Sequence, residues 1–212
     1  THGPLWLQDG VPALPGPQAP GSVVTGLPAG TGNVLALTID DGGDTDVVSA
    51  YCDFARDSGV RLTFFVTGSY PSWAANKDKL APLVETGQVQ LGNHTWSHLG
   101  LTDLSDSGIV SELAQCETFL NNTFGVTGTP FVRPPYGYRN EHTAAVCASI
   151  GYSTSVMWYG SFGDSGPLTE DVLLGEARKW LLAEHIVIGH ANHPTVTHLY
   201  GQIIYILRER SL

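Results

Sequence analysis

Short apolar runs alternate with segments of helical periodicity along most of the chain. Val34-Leu35-Ala36-Leu37-Thr38-Ile39 reads as a buried strand that ends in the turn Asp40-Asp41-Gly42-Gly43. Asp46–Ser58 places Val47, Val48, Tyr51 and Phe54 on one face, with Gly59 at the stop, and is predicted to be a helix. Further strands are predicted over 61–67, 89–93, 131–132, 153–158 and 185–188. Further helices are predicted over 77–85, 105–124, 141–149, 169–182 and 195–210. Strictly alternating elements of this length point to an α/β fold: a parallel sheet or barrel with helices outside. Active sites in such folds sit at the carboxyl ends of the strands. Here those ends carry Asp40 and Asp41, then His94, Arg133, Trp158 and His190.

Residues 1–32 break this pattern. They hold six Pro and seven Gly and read as an extended arm or linker before a domain spanning 33–212. The stretches without Asp, Glu, Lys or Arg, 142–163 and 185–207, are interrupted by Gly, Ser, Thr or His, so no membrane-inserted span is expected. With 10 Lys plus Arg against 20 Asp plus Glu, the net charge is −10, and charged residues make up only 14%. A sparse, acidic surface has no counterion-release contribution to offer a nucleic acid. Cys52, Cys116 and Cys147 show no metal-ligand spacing. Cys116 and Cys147 lie on adjacent predicted helices and are the pair to test first for a disulfide.

The pattern at 94–98 carries the chemistry. His94 and His98, at i and i+4, would share one face of a helical turn and could reach one ion. Such a pair recurs on ordinary surfaces, so a third ligand decides its meaning. Asp40-Asp41 supplies carboxylates from another strand end. Two His, one carboxylate and an open position make a catalytic zinc site. The neighbouring carboxylate is then free to act as a general base.

These residues resemble carbohydrate esterase family 4, the polysaccharide deacetylases with the NodB-homology domain. Thr38-Ile39-Asp40-Asp41-Gly42 matches the family's first motif, and His94-Thr95-Trp96-Ser97-His98 its second. Arg133-Pro134-Pro135-Tyr136 matches the third, and Ile188-Gly189-His190 the fifth. The resemblance implies a distorted (β/α) barrel and metal-dependent removal of acetyl groups from an N- or O-acetylated polysaccharide. The glycan would be chitin, peptidoglycan or acetylxylan. It implies Asp40 as base and Asp41, His94 and His98 as ligands of Zn²⁺, with Co²⁺ or another divalent metal as alternatives. It further implies Arg133 as the partner of Asp40, the Tyr136 N–H as an oxyanion donor, and His190 as the acid. His193 is the alternative acid. Tyr136, Trp158 and Trp96 are candidate sugar-stacking residues. A secreted or cell-envelope location accompanies that substrate class, the Pro/Gly arm and a chain that starts at Thr1.

The fourth motif departs from the family. Ser161 stands at its first Asp, the residue expected to tether the acidic His, and Asp164 stands at its second. Ala191 replaces a common Asp and Gly43 a common Pro. This leaves two alternatives beside the deacetylase: hydrolysis of a non-peptide C–N bond in a small amide or imide, and a catalytically weak carbohydrate-binding homologue.

Overall fold

The computed structural model describes residues 22–212. Its framework is one sheet of seven parallel strands, in the order β1-β6-β5-β4-β3-β2-β7. The strands are β1 (Ser22–Val24), β2 (Ala36–Asp41), β3 (Leu62–Val66), β4 (Val89–Asn93), β5 (Phe131–Val132), β6 (Thr154–Val156) and β7 (Ile186–His190). The helices are α1 (Thr45–Ser58), α2 (Pro71–Ala75), α3 (Lys77–Glu85), α4 (Asp106–Phe124), α5 (Glu141–Ser149), α6 (Glu170–Trp180) and α7 (Tyr200–Glu209). The sheet curls toward closure. Beyond β6, the Tyr159 and Phe162 N–H groups donate to the Ile186 and Ile188 carbonyls of β7, and Ile188 N–H donates back to Gly160. This is a parallel sheet with helices outside, as the alternation predicts, curled into the distorted (β/α) barrel that the family resemblance implies.

The strands are buried on both faces, as parallel strands covered by helices must be. Alternation along each strand sorts two cores. Leu37 and Ile39 of β2 and Leu62, Phe64 and Val66 of β3 pack outward against α1, α3, α6 and α7. Ala36, Phe65, Phe131, Val156 and Ile186 point inward and fill the barrel. Arg133 enters that interior and is fully buried.

Several expectations change in detail. Ser22–Val24, within the stretch read as an arm, pairs with β6 as an edge strand. The rest of that stretch up to residue 21 lies outside the described residues. Helix α2 has no signal in the hydrophobic pattern because it is one turn long. The helix expected over 195–210 is two pieces, a 3₁₀ turn Pro194–His198 and then α7. The three cysteines are free and buried. Cys116 faces the outer core, where its thiol lies 3.3 Å from the Val66 carbonyl, whereas Cys147 packs in a separate cluster with Leu113 and Tyr152. Adjacent helices therefore do not bring the two sulfurs together.

Candidate active site

Asp40 and Asp41 close β2 rather than sitting in the turn after it. Neighbouring strand residues normally point to opposite faces. Here Asp41 takes a left-handed φ of 74°, which returns its carboxylate to the side of Asp40. One-turn α2 stabilises that conformation: Trp73 Nε1–H donates to the Asp41 carbonyl at 3.0 Å and Ser72 Oγ–H to the Gly42 carbonyl at 2.6 Å. Gly42 is also left-handed, and a Cβ there would lie 2.5 Å from the Trp73 ring, so only glycine fits the turn.

Arg133 reaches Asp40 across the barrel interior. Its Nη1 donates to Asp40 Oδ1 at 2.8 Å and to Thr38 Oγ1 at 2.7 Å. Its Nε and Nη2 donate to the Val156 and Met157 carbonyls at 2.8 and 3.0 Å. The Phe65 and Trp158 rings lie 4.4 and 5.6 Å from the guanidinium carbon. Four of the five N–H donors of the fork thus meet fixed partners, and the charge of the buried Asp40 carboxylate is met by a fixed cation.

His94 follows β4. Its Nδ1 faces the Arg133 carbonyl at 2.5 Å, which leaves Nε2 as the free ring nitrogen. His94 Nε2 and His98 Nε2 lie 3.0 and 3.1 Å from Asp41 Oδ1. The expected helical turn is absent. Residues 94–98 form an irregular loop with Thr95 and His98 both at positive φ, 74° and 62°, and it is this loop that turns the two rings toward each other. The same geometry sends Trp96 away. Trp96 packs edge-on against Phe119 of α4, with centroids 6.4 Å apart, and lines a separate groove on that helix. Trp96 is therefore not in the cleft, contrary to expectation.

The opposite wall carries His190, the last residue of β7. Its Nδ1 lies 3.1 Å from Oδ1 of the buried Asp164. Burial lowers the affinity of His190 for its proton, and the Asp164 hydrogen bond with the charges of Asp40, Asp164 and Asp41 more than offsets this. The net shift is upward. Ser161 Oγ accepts instead from Gly163 N–H, so the tether comes from Asp164, the second acidic position of the altered motif. His193 starts the 3₁₀ turn after β7 and does not line the cleft, and the exposed His198 pairs with Glu170. Tyr136, left-handed at φ 62° and 62% exposed, stands edge-on to His98 at 4.7 Å. Asp40, Asp41, His94, His98, Tyr136 and His190, with Tyr70, Trp158 and Asn192, line one cleft of about 580 Å³.

A family model described as polysaccharide deacetylase matches residues 28–155, more than half of the chain. The chain belongs to the polysaccharide deacetylase family. A chitin deacetylase from a Pestalotiopsis species is 34% identical over 122 residues, 57% of this chain and 40% of that protein. A peptidoglycan-N-acetylglucosamine deacetylase from Bacillus cereus is 33% identical over 107 residues, 49% of this chain and 36% of that protein. The chain spans only about half or less of the length of such curated relatives. Among solved structures, a family 4 carbohydrate esterase from Streptomyces lividans in complex with acetate aligns with a TM-score of 0.72 at 24% identity, covering 84% of this chain and 88% of that one. A family 4 pseudoenzyme from Bacillus anthracis aligns with a TM-score of 0.76 at 20% identity, covering 91% and 66%. At these identities the likeness is one of fold, and activity in this deacetylase family member must be argued from its residues.

The donor set fits a divalent cation. Asp41 Oδ1 is buried and receives no hydrogen bond of good geometry, yet it converges with the Nε2 atoms of His94 and His98, and the other ring nitrogen of His94 is settled on the Arg133 carbonyl. Burial pushes the Asp41 carboxyl up, but the short contacts and charges of the His94 and His98 imidazoles outweigh this and hold it well below the usual carboxylate range. Burial likewise pulls His94 down, and the charges of Asp40 and Asp41 raise it on balance. A bound cation would displace that proton. Asn192 was invisible as a site residue in the sequence. Its Nδ2 donates to Asp41 Oδ2 at 2.7 Å and its Oδ1 accepts from Gly43 N–H at 2.9 Å, so it orients the carboxylate. No motif spacing marks it. Its only cue was a position two residues beyond His190.

Proposed function

We propose that this chain removes acetyl groups from an N- or O-acetylated glycan, with Asp40 as base and His190 as acid. The observation that carries this is the pair of opposed, separately tethered groups over one donor cluster. Asp40 is held by Arg133 and His190 by Asp164, on either side of Asp41, His94 and His98. Asp41 Oδ1, His94 Nε2 and His98 Nε2 would hold Zn²⁺, with Co²⁺ or another divalent metal as the alternative. When bound, such a cation polarises the acetyl carbonyl and acidifies water.

Asp40 has one oxygen fixed by Arg133 and a second, Oδ2, available to take a proton from the attacking water. His190, with Nδ1 committed to Asp164, gives a proton from Nε2 to the leaving nitrogen or oxygen as the C–N or C–O bond breaks. The raised proton affinity of His190 favours the charged acid form. Near Tyr136, the Gly137 and Tyr138 N–H groups are spent on the Pro134 and Pro135 carbonyls. The Tyr136 N–H is our candidate donor to the developing oxyanion, a contact worth about 3–4 kcal/mol when preorganised. Tyr136 and Trp158 offer faces to a pyranose ring.

The lining of the cleft favours a glycan over a small cyclic amide, because the 580 Å³ space is roomy and rimmed by exposed Tyr136 and Tyr138. A polymer of this class is met at the cell envelope or outside the cell, the location we propose. Among the described residues no helix is long and apolar enough to cross a membrane. The test is acetate release from acetylated chitooligosaccharides, peptidoglycan fragments and acetylxylan. A chelator should abolish it and Zn²⁺ or Co²⁺ restore it, and Asp40→Asn should lower it at least about 10²-fold. Full activity in Asp40→Asn, or glycan binding without acetate release in the presence of metal, would overturn the assignment.

A further inference from the structure

The loop that carries both imidazoles is unusual in what its backbone bonds to. The N–H groups of Thr95, Trp96, Ser97 and His98 all meet side-chain oxygens. Thr95 N–H donates to Asn93 Oδ1 at 2.8 Å and His98 N–H to Thr95 Oγ1 at 3.1 Å. Between them, Trp96 N–H and Ser97 N–H both donate to Oε2 of Glu112, at 2.9 and 2.8 Å. Ser97 Oγ donates to the other oxygen, Oε1. Glu112 lies on α4, 15 residues away from Ser97, and is only 7% exposed.

Successive backbone N–H groups that converge on one anion form a nest. Here the anion is the protein's own carboxylate. Two residues of the loop, Thr95 and His98, hold positive φ, a conformation that is costly for a residue other than glycine and persists only where the surroundings enforce it. Carboxylate hydrogen bonds are the strong kind, and Glu112 supplies three of them at the centre of the strained segment. The distance between His94 Nε2 and His98 Nε2 depends on that segment keeping its shape.

We propose that Glu112 is a positioning residue for the metal ligands: its carboxylate fixes the 94–98 loop so that both imidazoles converge on Asp41 Oδ1. This rests on Asp41, His94 and His98 holding a divalent cation. Glu112 itself is no ligand, since the loop backbone stands between it and the ring nitrogens.

The experiment measures Zn²⁺ affinity on the full chain by competition with a chromogenic chelator, without substrate. Glu112→Ala should weaken Zn²⁺ binding by about 10–100-fold, the usual effect of losing a group that orients ligands, and should alter the visible d–d bands of the Co²⁺-loaded protein. Glu112→Gln keeps an oxygen for the two N–H groups and an amide N–H for Ser97 Oγ, and should restore the wild-type bands and most of the affinity. Asn140→Ala, which deletes the cap of α5, should lower the melting midpoint and leave the affinity unchanged. A Glu112→Ala protein with wild-type affinity and a lowered midpoint would overturn the proposal, leaving Glu112 a purely structural residue. If that variant does not fold, Glu112→Asp decides: its carboxylate is one methylene short, so loss of affinity supports the proposal and wild-type affinity overturns it. A wild-type chain that binds no Zn²⁺ would instead remove the metal site itself.

Discussion

Replacing Arg133 by Met deletes a fully buried guanidinium and keeps an unbranched side chain in its place. Asp40 then loses the cation fixed on its Oδ1, and the Val156 and Met157 carbonyls lose their donors. Removing one partner of a buried ion pair costs about 3–5 kcal/mol. Each buried acceptor left without a donor adds about 1–3 kcal/mol. Losses within one network do not add, so about 5 kcal/mol is the working figure. In a chain of this length 1 kcal/mol moves the melting midpoint by about 2–4 °C, which puts Arg133→Met about 10–20 °C below wild type. Arg133→Lys keeps the charge but is a point donor, and it cannot span Asp40 and both carbonyls as the fork does. Two bonds lost at about 1 kcal/mol each place it about 4–8 °C below wild type. Calorimetry on metal-free protein at pH 7 reads both shifts, and urea unfolding at 25 °C checks them. Adding Asp40→Asn to the Met variant removes the uncompensated charge and should recover part of the loss. An Arg133→Met midpoint within 2 °C of wild type, or a double variant less stable than Arg133→Met, would refute the account of Arg133 as the buried counter-charge of Asp40.

Three further outcomes follow from the same geometry. His190 is raised above its ordinary value, so the charged acid and the His190–Asp164 pair's contribution to stability are present at low pH and lost as pH rises through that raised value. Asp164→Asn should move the alkaline limb of the rate profile to lower pH, and an unmoved limb would mean that Asp164 does not tune the acid. Burial pushes the Cys52 and Cys116 thiols up to about 12 and Cys147 to about 11. A thiol reagent at pH 8 should therefore label all three only after unfolding, and rapid labelling of the native protein would contradict their placement. Trp158→Ala should raise KM for an acetylated oligosaccharide by up to about tenfold. Trp96→Phe should leave KM unchanged because Trp96 lies on the α4 side of its loop. Equal effects at the two tryptophans would undo that distinction.

Much of this protein is legible along the chain. Buried parallel strands are short unbroken apolar runs, and amphipathic helices repeat every three to four residues, so β4, β5, α3 and α5 match the expected bounds. The same alternation places the chemically loaded residues at strand ends, where the cleft is. Residue type then narrows the chemistry to two imidazoles, two carboxylates, an arginine and a further imidazole.

The expectations that fail do so because they involve conformation or partners remote in sequence. Spacing alone predicts a helical turn at 94–98, but an irregular loop with Thr95 and His98 at positive φ stands there, its Trp96 and Ser97 N–H groups donating to the remote Glu112, and Trp96 turns away with it. Adjacent carboxylates predicted two roles, but only the positive φ of Asp41, stabilised by α2, puts both in one cleft. Ser161 in the altered motif cannot tether the acid, and only the fold decides that Asp164, the second acidic position, comes to His190 in its place. Asp40 and Arg133 are 93 residues apart and meet only because the sheet curls until β2 and β5 face each other across its interior. Periodicity reports whether a side chain is buried, a property each segment carries by itself. Which buried groups meet is set by the closure of the barrel, to which every strand contributes.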